Sequence, residues 1–419
     1  MAFSFVHAAD LHLDCPFDGL GDVPEELAAS LKSPTLAAFE NIITLCLERQ
    51  VDFLLIAGDV YNAEDKSLRA QLAFRTGLAR LADAGVPSYV AFGNHDPTGG
   101  WSAALDWPEL VHCFPSGKPK THSVLRSGQE IARVSGMSFA RRAVTDNLAE
   151  RCTADEDAPF SIAVLHCNCG QVAAHDPYAP CTLSDLEKKR FDYWALGHIH
   201  KGEVLRERDP AVVYPGNPQG LNPKETGAKG CYLVKVDDSG GLDLEFVETD
   251  AVRWFAEEVD ASGMDTEQQL INALDERVAH ISECAGRPAL VRFRIAGRTA
   301  LHRSLARSGI LDDMADSLRE DQGLSEDFVW VESVRDDTKP DVDLNERRKA
   351  GDFVGDFLRA IEEARNDAER LDELRTALKP VLEDRSVRKA LSEPSEAQIR
   401  AWLDEAEVLG VDALLGEEG

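Results

Sequence analysis

The sequence has no apolar segment of the length that a membrane-spanning helix requires. It contains no run of about 18 apolar residues, and no charged stretch followed by an apolar core marks a signal peptide. Basic residues are also scarce, since 45 lysines and arginines stand against 75 aspartates and glutamates, for a formal net charge of −30. We therefore expect a cytoplasmic protein that has no association with a membrane.

Cysteine is present, but it follows no pattern that indicates a disulfide framework. The nine cysteines stand at scattered spacings, and in a chain without export signals buried free thiols are commoner than disulfides. Cys167 and Cys169 could form half of a zinc site, although the sequence offers no second pair of this kind. With 419 residues, the chain is long enough for about two or three domains and a sizeable core.

Five short apolar runs end in polar residues of the kinds that bind metal ions. Runs such as Phe53–Ala57 and Ser161–Leu165 are rich in branched and aromatic residues, which predicts buried strands. The clusters at their ends are, in chain order, Asp10-Leu11-His12, Gly58-Asp59, Gly93-Asn94-His95-Asp96, His166 and Gly197-His198-Ile199-His200. Because layered α/β proteins hold their ligands at the carboxyl ends of their strands, we expect the clusters to meet at one edge of a sheet.

Carboxylates, imidazoles and an amide together suit a pair of divalent cations. Two ions roughly 3.5–4 Å apart can hold the attacking and leaving oxygens of a displacement at phosphorus. Asp10 and His12 are two residues apart, so an extended segment projects both to the same side, where they can share one ion. His198 and His200 have the same spacing, although each could serve a different ion of the pair. Asp59 is the natural bridging carboxylate.

Each of these matches is weak by itself. A lone histidine such as His166 is most often a hydrogen-bonded structural residue, and Asn94 beside His95 could reflect turn chemistry. Five clusters in one order, each after a strand-like run, are far harder to obtain by chance. The set therefore predicts a two-metal site that cleaves phosphodiesters.

The ordered motifs D-x-H, G-D, G-N-H-D, H and G-H-x-H resemble those of the calcineurin-like metallophosphoesterases. Further stretches are similar to the SbcD-type DNA repair exonucleases, most closely to their YhaO-like branch: "FVHAADLHLD", "AGDVYNAED", "LHCNCG" and "VYPGNPQGLNPKETGAKGC". The resemblance is strong over about residues 1–250 and weakens to about residue 335. It implies an α/β fold, a four-layer sandwich of two mixed sheets flanked by helices, and a DNA exonuclease or endonuclease that works in DNA repair with an SMC-like ATPase.

The resemblance also implies a role for each site residue. One ion would be held by Asp10, His12, Asp59 and His200, and the second by Asp59, Asn94, His166 and His198. His95 would act beside the leaving oxygen, with Asp96 orienting its ring. Manganese is the usual ion of the family, although these oxygen and nitrogen donors also suit Mg²⁺, Fe or Zn²⁺. One departure is Asn62, where SbcD-type nucleases often carry a histidine, and it weakens the expectation of exonuclease action on duplex ends.

The chain divides into three expected segments. Residues 1–250 form the metallophosphoesterase domain, residues 251–338 a small α/β capping domain, and residues 339–419 an acidic helical region. In the middle segment, alternation around Phe293 predicts a half-buried strand with a basic face, which either helps hold substrate or is simply solvated. In the last segment, Val354, Phe357, Leu358 and Ile361 form one apolar helix stripe. This stripe either packs on its own chain or docks onto the coiled coil of a partner ATPase.

The charge of the chain leaves its substrate open. Phosphate affinity normally comes from lysine and arginine, and here only local groups offer it: Arg141-Arg142, Lys188-Lys189-Arg190, Lys224 and Lys229. Either a partner supplies most of the affinity for DNA, or the substrate is a small phosphoester such as a cyclic nucleotide. A non-catalytic scaffold is less consistent with a complete set of ligand positions. The oligomeric state, including a homodimer, is also open.

Overall fold

The computed structural model describes residues 2–17, 20, 31, 33–65, 67–103, 105–170, 178–320, 327–382 and 394–416. The chain forms two compact units. The first comprises residues 1–256 with 281–291 and 322–332, and the second comprises residues 257–280, 292–321 and 333–419. The expected division into segments 1–250, 251–338 and 339–419 stays a prediction.

The strands of the described residues follow the apolar runs of the sequence. They are β1 (Phe3–Ala8), β2 (Phe53–Ala57), β3 (Ser88–Ala91), β4 (Val111–Cys113), β5 (Lys120–Arg126), β6 (Gln129–Gly136), β7 (Ser161–His166), β8 (Tyr193–Gly197), β9 (Glu203–Arg206), β10 (Ala211–Tyr214), β11 (Gly230–Val236), β12 (Leu242–Glu248), β13 (Arg253–Asp260), β14 (Ala289–Ala296), β15 (Arg298–Thr299), β16 (Val329–Asp336) and β17 (Lys339–Pro340).

The helices lie between and after these strands. They are α1 (Pro34–Glu48), α2 (Leu68–Asp83), α3 (Leu183–Glu187), α4 (Glu267–Ala285), α5 (His302–Leu305), α6 (Ile310–Glu320), α7 (Leu344–Lys349), α8 (Phe353–Asn366), α9 (Ala368–Leu382) and α10 (Glu396–Gly416), with a 3₁₀ turn at Leu148–Arg151. Among the described residues, no helix is long and apolar enough to cross a membrane.

Two mixed six-stranded sheets form the first unit. Their strand orders are β12-β11-β1-β2-β3-β4 and β5-β6-β7-β8-β10-β9. In the first sheet, β1 to β4 are parallel, and β11 and β12 at one edge run antiparallel to their neighbours. In the second sheet, β6, β7, β8 and β10 are parallel, and the two edge strands β5 and β9 run antiparallel to their neighbours. The predicted fold class, two mixed sheets flanked by helices, is confirmed.

The core of this unit has three layers of apolar contacts. Phe5 and Phe53 of the first sheet pack with Tyr193 of the second in the cluster between the sheets. Phe39 and Phe74 of α1 and α2 cover the outer face of the first sheet. All five residues of β2 are buried, because this strand has helices on one face and a sheet on the other. Burial on both faces explains why β2 is a continuous apolar run and not an alternating one.

The parallel strands carry the five clusters to the same end of the sandwich, three from the first sheet and two from the second, and not to the edge of a single sheet as expected. The residues that follow β1, β2, β3 and β8, together with His166 at the end of β7, lie at the carboxyl ends of neighbouring strands. The two sheets approach each other closely here, since a Cβ on Gly197 of β8 would lie 2.9 Å from the carbonyl carbon of Ala57 in β2 and would overlap its oxygen. A glycine at position 197 therefore allows the two halves of the site to meet.

The strand β14 shows the alternation that its sequence predicts. Phe293 and Ile295 are buried, whereas Arg294 is exposed. Arg294 forms ion pairs with Glu258 and with Asp337, the latter at 3.1 Å. Its charge is thus neutralised by its neighbours in the second unit, which favours the interpretation of a solvated sheet face.

The apolar stripe of α8 packs on its own chain. Val354 and Leu358 form a buried cluster with Val411 of α10, and the ring of Phe357 meets the backbone of α10 at Gly410, where a Cβ would overlap it. The first of the two predicted alternatives for this stripe is therefore the one observed. The helix α9 runs through Pro380 and ends at Leu382.

Candidate metal centre

The backbone is strained where the clusters meet. Asp10, His12, Asp59 and His198 have φ angles of 52°, 41°, 50° and 104°, a region that non-glycine residues rarely adopt. The two loops after β1 and β2 hold this shape together, because Asp10 N donates to Gly58 O at 3.0 Å and His12 N donates to Asp59 O at 3.1 Å. Such strain costs about 1–3 kcal/mol per residue and clusters at functional sites.

Two groups of potential ligand atoms lie at this end of the sandwich. Asp10, His12 and His200 form one group, and Asp10, Asp59 and His166 form the other, with their ligand atoms all within 4.8 Å of one another in each group. Asn94 adds an amide oxygen, since its Oδ1 lies 2.9 Å from His166 Nε2. His166 Nε2 is also 3.3 Å from Asp59 Oδ2. His166, which stands alone in the sequence, is thus part of the cluster.

Each of three histidines has its Nδ1 nitrogen beside an acceptor. The Nδ1–H group of His12 faces Asn62 Oδ1 at 3.1 Å, that of His166 faces Ala57 O at 3.0 Å, and that of His200 faces Glu225 Oε1 at 2.7 Å. These bonds fix the tautomer in which Nε2 carries a lone pair. The Nε2 atoms of His12 and His200 then face each other at 3.1 Å. Two lone pairs at this distance repel unless a proton or a metal ion lies between them. Burial would lower the pKa of His200, but Glu225 and the nearby carboxylates raise it.

The electrostatics of the cluster also fit bound cations. Asp10 and Asp59 are buried, and in the described part of the chain no lysine or arginine pairs with either carboxylate. Burial raises the pKa of Asp10 to about 6. Burial, with the nearby His200, lowers the pKa of His12 to about 4, so that this imidazole is neutral at pH 7 and able to bind a metal. Buried charges require a partner, and divalent cations would satisfy these oxygen and nitrogen donors.

The pKa values of His166 and Asp59 are also shifted in the directions that favour a positive charge beside Asp59. Burial by itself would lower the pKa of His166, but the charge and hydrogen bond of Asp59 outweigh it and the pKa is raised. The pKa of Asp59 falls correspondingly: burial would raise it, but the contact with His166 dominates. Both shifts favour a positive charge between His166 Nε2 and Asp59 Oδ2, which a proton supplies in the metal-free protein and a divalent cation would supply in its place.

Two glycines give the cluster its close packing. A Cβ on Gly58, whose φ is +96°, would lie 2.7 Å from His166 Cγ. A Cβ on Gly93 would lie 2.8 Å from His166 Nε2 and would overlap Asp59 Oδ1. The glycines in the G-D and G-N-H-D motifs therefore leave room for the ligands themselves.

Comparisons with known proteins agree with this geometry. The model of the calcineurin-like phosphoesterase family matches residues 3–202, and that of the middle domain of metallophosphoesterase YhaO matches residues 254–339. An uncharacterized metallophosphoesterase YhaO of Bacillus subtilis is 39% identical over 341 residues, which cover 81% of this chain and 83% of the relative. The chain belongs to the calcineurin-like metallophosphoesterases.

More distant relatives of this metallophosphoesterase include named DNA-processing proteins. The DNA double-strand break repair protein Mre11 of Methanocaldococcus jannaschii is 24% identical, over 59% of this chain and 66% of its own. One of the subunits of the nuclease SbcCD of Bacillus subtilis is 24% identical, over 55% of this chain and 65% of its own. Membership of the family makes the chain a metal-dependent phosphoester hydrolase in class, and leaves its substrate and its metal to be determined.

The G-N-H-D turn of this metallophosphoesterase is held by Asp96. Its carboxylate oxygens accept hydrogen bonds from Gly93 N at 2.7 Å and Val60 N at 2.6 Å. Both of its oxygens thus bond to backbone groups, and the expected role of Asp96 in orienting the ring of His95 stays a prediction. The main chain of His95 is held as well, since His95 N donates to Asp59 Oδ1 at 2.9 Å. Its half-buried ring packs edge-on against the His12 ring, with the centroids 5.1 Å apart.

The predicted ligand His198 contributes through its backbone. Its N–H donates to both carboxylate oxygens of Asp10, at 3.0 and 3.1 Å, and its ring packs against the His166 ring with the centroids 5.1 Å apart. In this structure Asp10, and not Asp59, is the carboxylate common to the two groups. The ligand roles of Asp10, His12, Asp59, Asn94, His166, His198 and His200 stay predictions, but the fold brings all seven residues to one place.

Three further side chains contact the histidines of the cluster, and the motif analysis did not indicate these contacts. Asn62 accepts from His12, and Glu225 accepts from His200. Lys229 is buried, and its Nζ donates to His200 O at 3.0 Å. Glu225 and Lys229 lie in the stretch "VYPGNPQGLNPKETGAKGC", so the sequence marks the segment but does not indicate that these side chains contact His200.

Proposed function

We propose that this metallophosphoesterase is a two-metal phosphodiester hydrolase that cleaves DNA and acts together with an SMC-like ATPase. The observation that carries the hydrolase is the pair of Nε2 atoms of His12 and His200, 3.1 Å apart, beside the group of Asp10, Asp59, His166 and Asn94. Divalent cations, manganese in our proposal, would be held by these residues and His198. When bound, they would supply an activated water and neutralise charge that develops at phosphorus.

The residues of the chain have separate tasks in this reaction. The acceptors on Nδ1 of His12, His166 and His200 keep each Nε2 aimed at the centre, which is the preorganisation that catalysis requires. His95 has a half-buried ring beside His12, whereas the predicted ligands other than His200 are buried. We assign it the proton that passes to the departing 3′-oxygen, the task of a general acid.

DNA as substrate is supported by the names of the relatives and opposed by the charge of the chain. Several cations that could hold a phosphate backbone are already paired, since Arg142 lies against Glu64, Arg190 against Glu156 at 3.4 Å, and Lys229 against His200 O. An isolated chain with a net charge of −30 would bind duplex DNA weakly, because nucleic-acid affinity depends on free basic groups. We therefore assign most of the affinity for DNA to the partner.

The same charge favours a second candidate, a hydrolase of small phosphoesters such as cyclic nucleotides. A digestion experiment separates the two. Protein with Mn²⁺ is incubated with labelled single-stranded DNA, labelled duplex DNA, a cyclic nucleotide and bis(p-nitrophenyl) phosphate, with Asp59→Asn as control. The proposal expects Mn²⁺-dependent cleavage of the generic phosphodiester, with slower cleavage of DNA because the isolated chain has few free basic groups to hold it. Cleavage of the cyclic nucleotide with no cleavage of either DNA would favour the small substrate.

The docking surface for the ATPase is the exposed apolar part of the C-terminal helices. Phe353 is 71% exposed and Leu409 is 69% exposed. Phe353 lies one helical turn before Phe357, and Leu409 adjoins Gly410, so both flank the contact between α8 and α10. Coexpression with an SMC-like ATPase of the same organism tests the surface. Phe353→Glu should abolish the complex and leave melting and hydrolysis of the small phosphodiester unchanged, whereas a complex that forms normally would contradict this docking site.

A further inference from the structure

Among His12, His166 and His200, it is His200 that has a carboxylate within hydrogen-bond distance of its Nδ1. His200 Nδ1 lies 2.7 Å from Glu225 Oε1, whereas His12 Nδ1 faces the neutral amide of Asn62 and His166 Nδ1 faces the carbonyl of Ala57. A hydrogen bond to a charged acceptor is roughly twice as strong as one between neutral groups. The cluster is therefore asymmetric, and the side formed by His12 and His200 has the stronger support.

Glu225 is itself fixed in one orientation. Its second oxygen, Oε2, accepts hydrogen bonds from Leu221 N at 2.7 Å and from Asn217 Nδ2 at 2.8 Å. The side chain is only 14% exposed. Burial would raise the pKa of Glu225, but these bonds and the one from His200 outweigh it and lower the pKa to about 2. The carboxylate is thus ionised and held on both oxygens at neutral pH.

The loop that carries Glu225 also holds the backbone of His200. Lys229 Nζ and Asn217 N both donate to His200 O, at 3.0 and 3.3 Å. Gly216, with φ of +79°, lets the loop come this close, because a Cβ there would lie 2.9 Å from His200 O and 2.7 Å from Gly202 N. Residues 216–229 thus fix both the main chain and the ring of this single histidine.

We infer that Glu225 is a positioning residue that makes the ion position of His12 and His200 the tighter of the two metal positions, an inference that rests on the proposed two-metal function. A carboxylate on Nδ1 prevents ring rotation and makes Nε2 a stronger donor. At the other position, the group within hydrogen-bond distance of His166 Nδ1 is the neutral carbonyl of Ala57 at 3.0 Å, and the carboxylate of Asp10, itself a predicted ligand, is 3.9 Å away. Glu225 acts through His200 and does not touch the reacting atoms.

Calorimetry on the full chain tests this inference. Chelator-treated protein is titrated with Mn²⁺, and the wild type should bind two ions with different affinities. Glu225→Gln keeps the size of the side chain and removes its charge, so it should weaken the tighter class by about 10–100-fold and leave the weaker class nearly unchanged. His200→Ala should remove the same tighter class, and His166→Ala should remove the other, which assigns each class to its position.

Controls separate positioning from folding. Glu245→Gln removes an exposed carboxylate that pairs with Lys235 and should leave both affinities as they are. Asn217→Ala removes one bond to Glu225 and should weaken the tighter class by a smaller factor, which keeps a test available if Glu225→Gln does not fold. An unchanged tighter class in Glu225→Gln, or equal weakening of both classes, would overturn the inference alone. A wild type that binds no Mn²⁺ would overturn the proposed function as well.

Discussion

Replacement of Gly93 by alanine should lower the turnover of the metal centre far more than it lowers the stability of the fold. The added Cβ would overlap Asp59 Oδ1 and lie 2.8 Å from His166 Nε2, whereas carbon contacts are comfortable at about 3.5–4.0 Å. His166 would have to recede by about 0.7 Å, more than the ±0.2 Å that metal–ligand distances tolerate. Both side chains are fixed by hydrogen bonds, Asp59 to His95 N and His166 to Ala57 O, so neither can move freely.

We expect Gly93→Ala to lose about 10²-fold or more in turnover, the usual effect of a misplacement near 1 Å. Overpacking should cost about 1–3 kcal/mol of the free energy of unfolding, or roughly 2–4 °C in melting temperature for each kcal/mol. The assays are Mn²⁺-dependent hydrolysis of bis(p-nitrophenyl) phosphate and melting of metal-free protein. Gly351→Ala is the matched control, because a Cβ there meets nothing within 4 Å. Wild-type turnover in Gly93→Ala would refute the account of the cluster.

Three further predictions concern a catalytic residue, a packing residue and a titrating residue. His95→Ala should bind both Mn²⁺ ions and lower turnover by roughly 10²–10⁴, and calorimetry that shows one ion lost would make His95 a ligand. Phe357→Glu should lower the melting temperature markedly, because it places a carboxylate against Gly410 of α10, whereas Phe353→Glu should melt like the wild type; equal melting of both variants would contradict the packing. Glu225 has its folded pKa depressed from 4.5 to about 2, so its stabilisation is present above pH 4.5 and is lost as the pH falls towards 2; metal-free wild type should therefore melt above Glu225→Gln at pH 6, with the difference vanishing near pH 2.

The strands and the meeting of the clusters were predictable because both follow from local patterns. Phe53–Ala57 and Ala289–Ala296 form strands over the predicted residues. Parallel pairing carries the ends of β1, β2 and β3 to one edge of the first sheet and those of β7 and β8 to one edge of the second; the placement of Asp59 and His166 after apolar runs indicated the edges but not that two sheets share the site. The predicted run Ser161–Leu165 is longer by one residue, since β7 extends to His166.

The supporting contacts were not predictable because they depend on loops far apart in the sequence. Glu225 follows His200 by 25 residues and has no periodic relation to it. The hydrogen bonds of Asp96 to Val60 N and Gly93 N could not be predicted, because the sequence does not show which N–H groups are left without a partner in the sheet. The apolar stripe around Phe357 has the same spacing whether it packs within the chain or against a partner, and only the position of α10 decides between the two.

The central claim is that two divalent ions together produce phosphodiester hydrolysis at this end of the sandwich. The most direct measurement is the turnover of bis(p-nitrophenyl) phosphate by metal-free protein as Mn²⁺ is added, with binding followed in parallel. We expect no turnover without metal, little with the first equivalent, and a rise as the second equivalent binds. Full turnover with a single bound ion, or no turnover when both ions are bound, would contradict it.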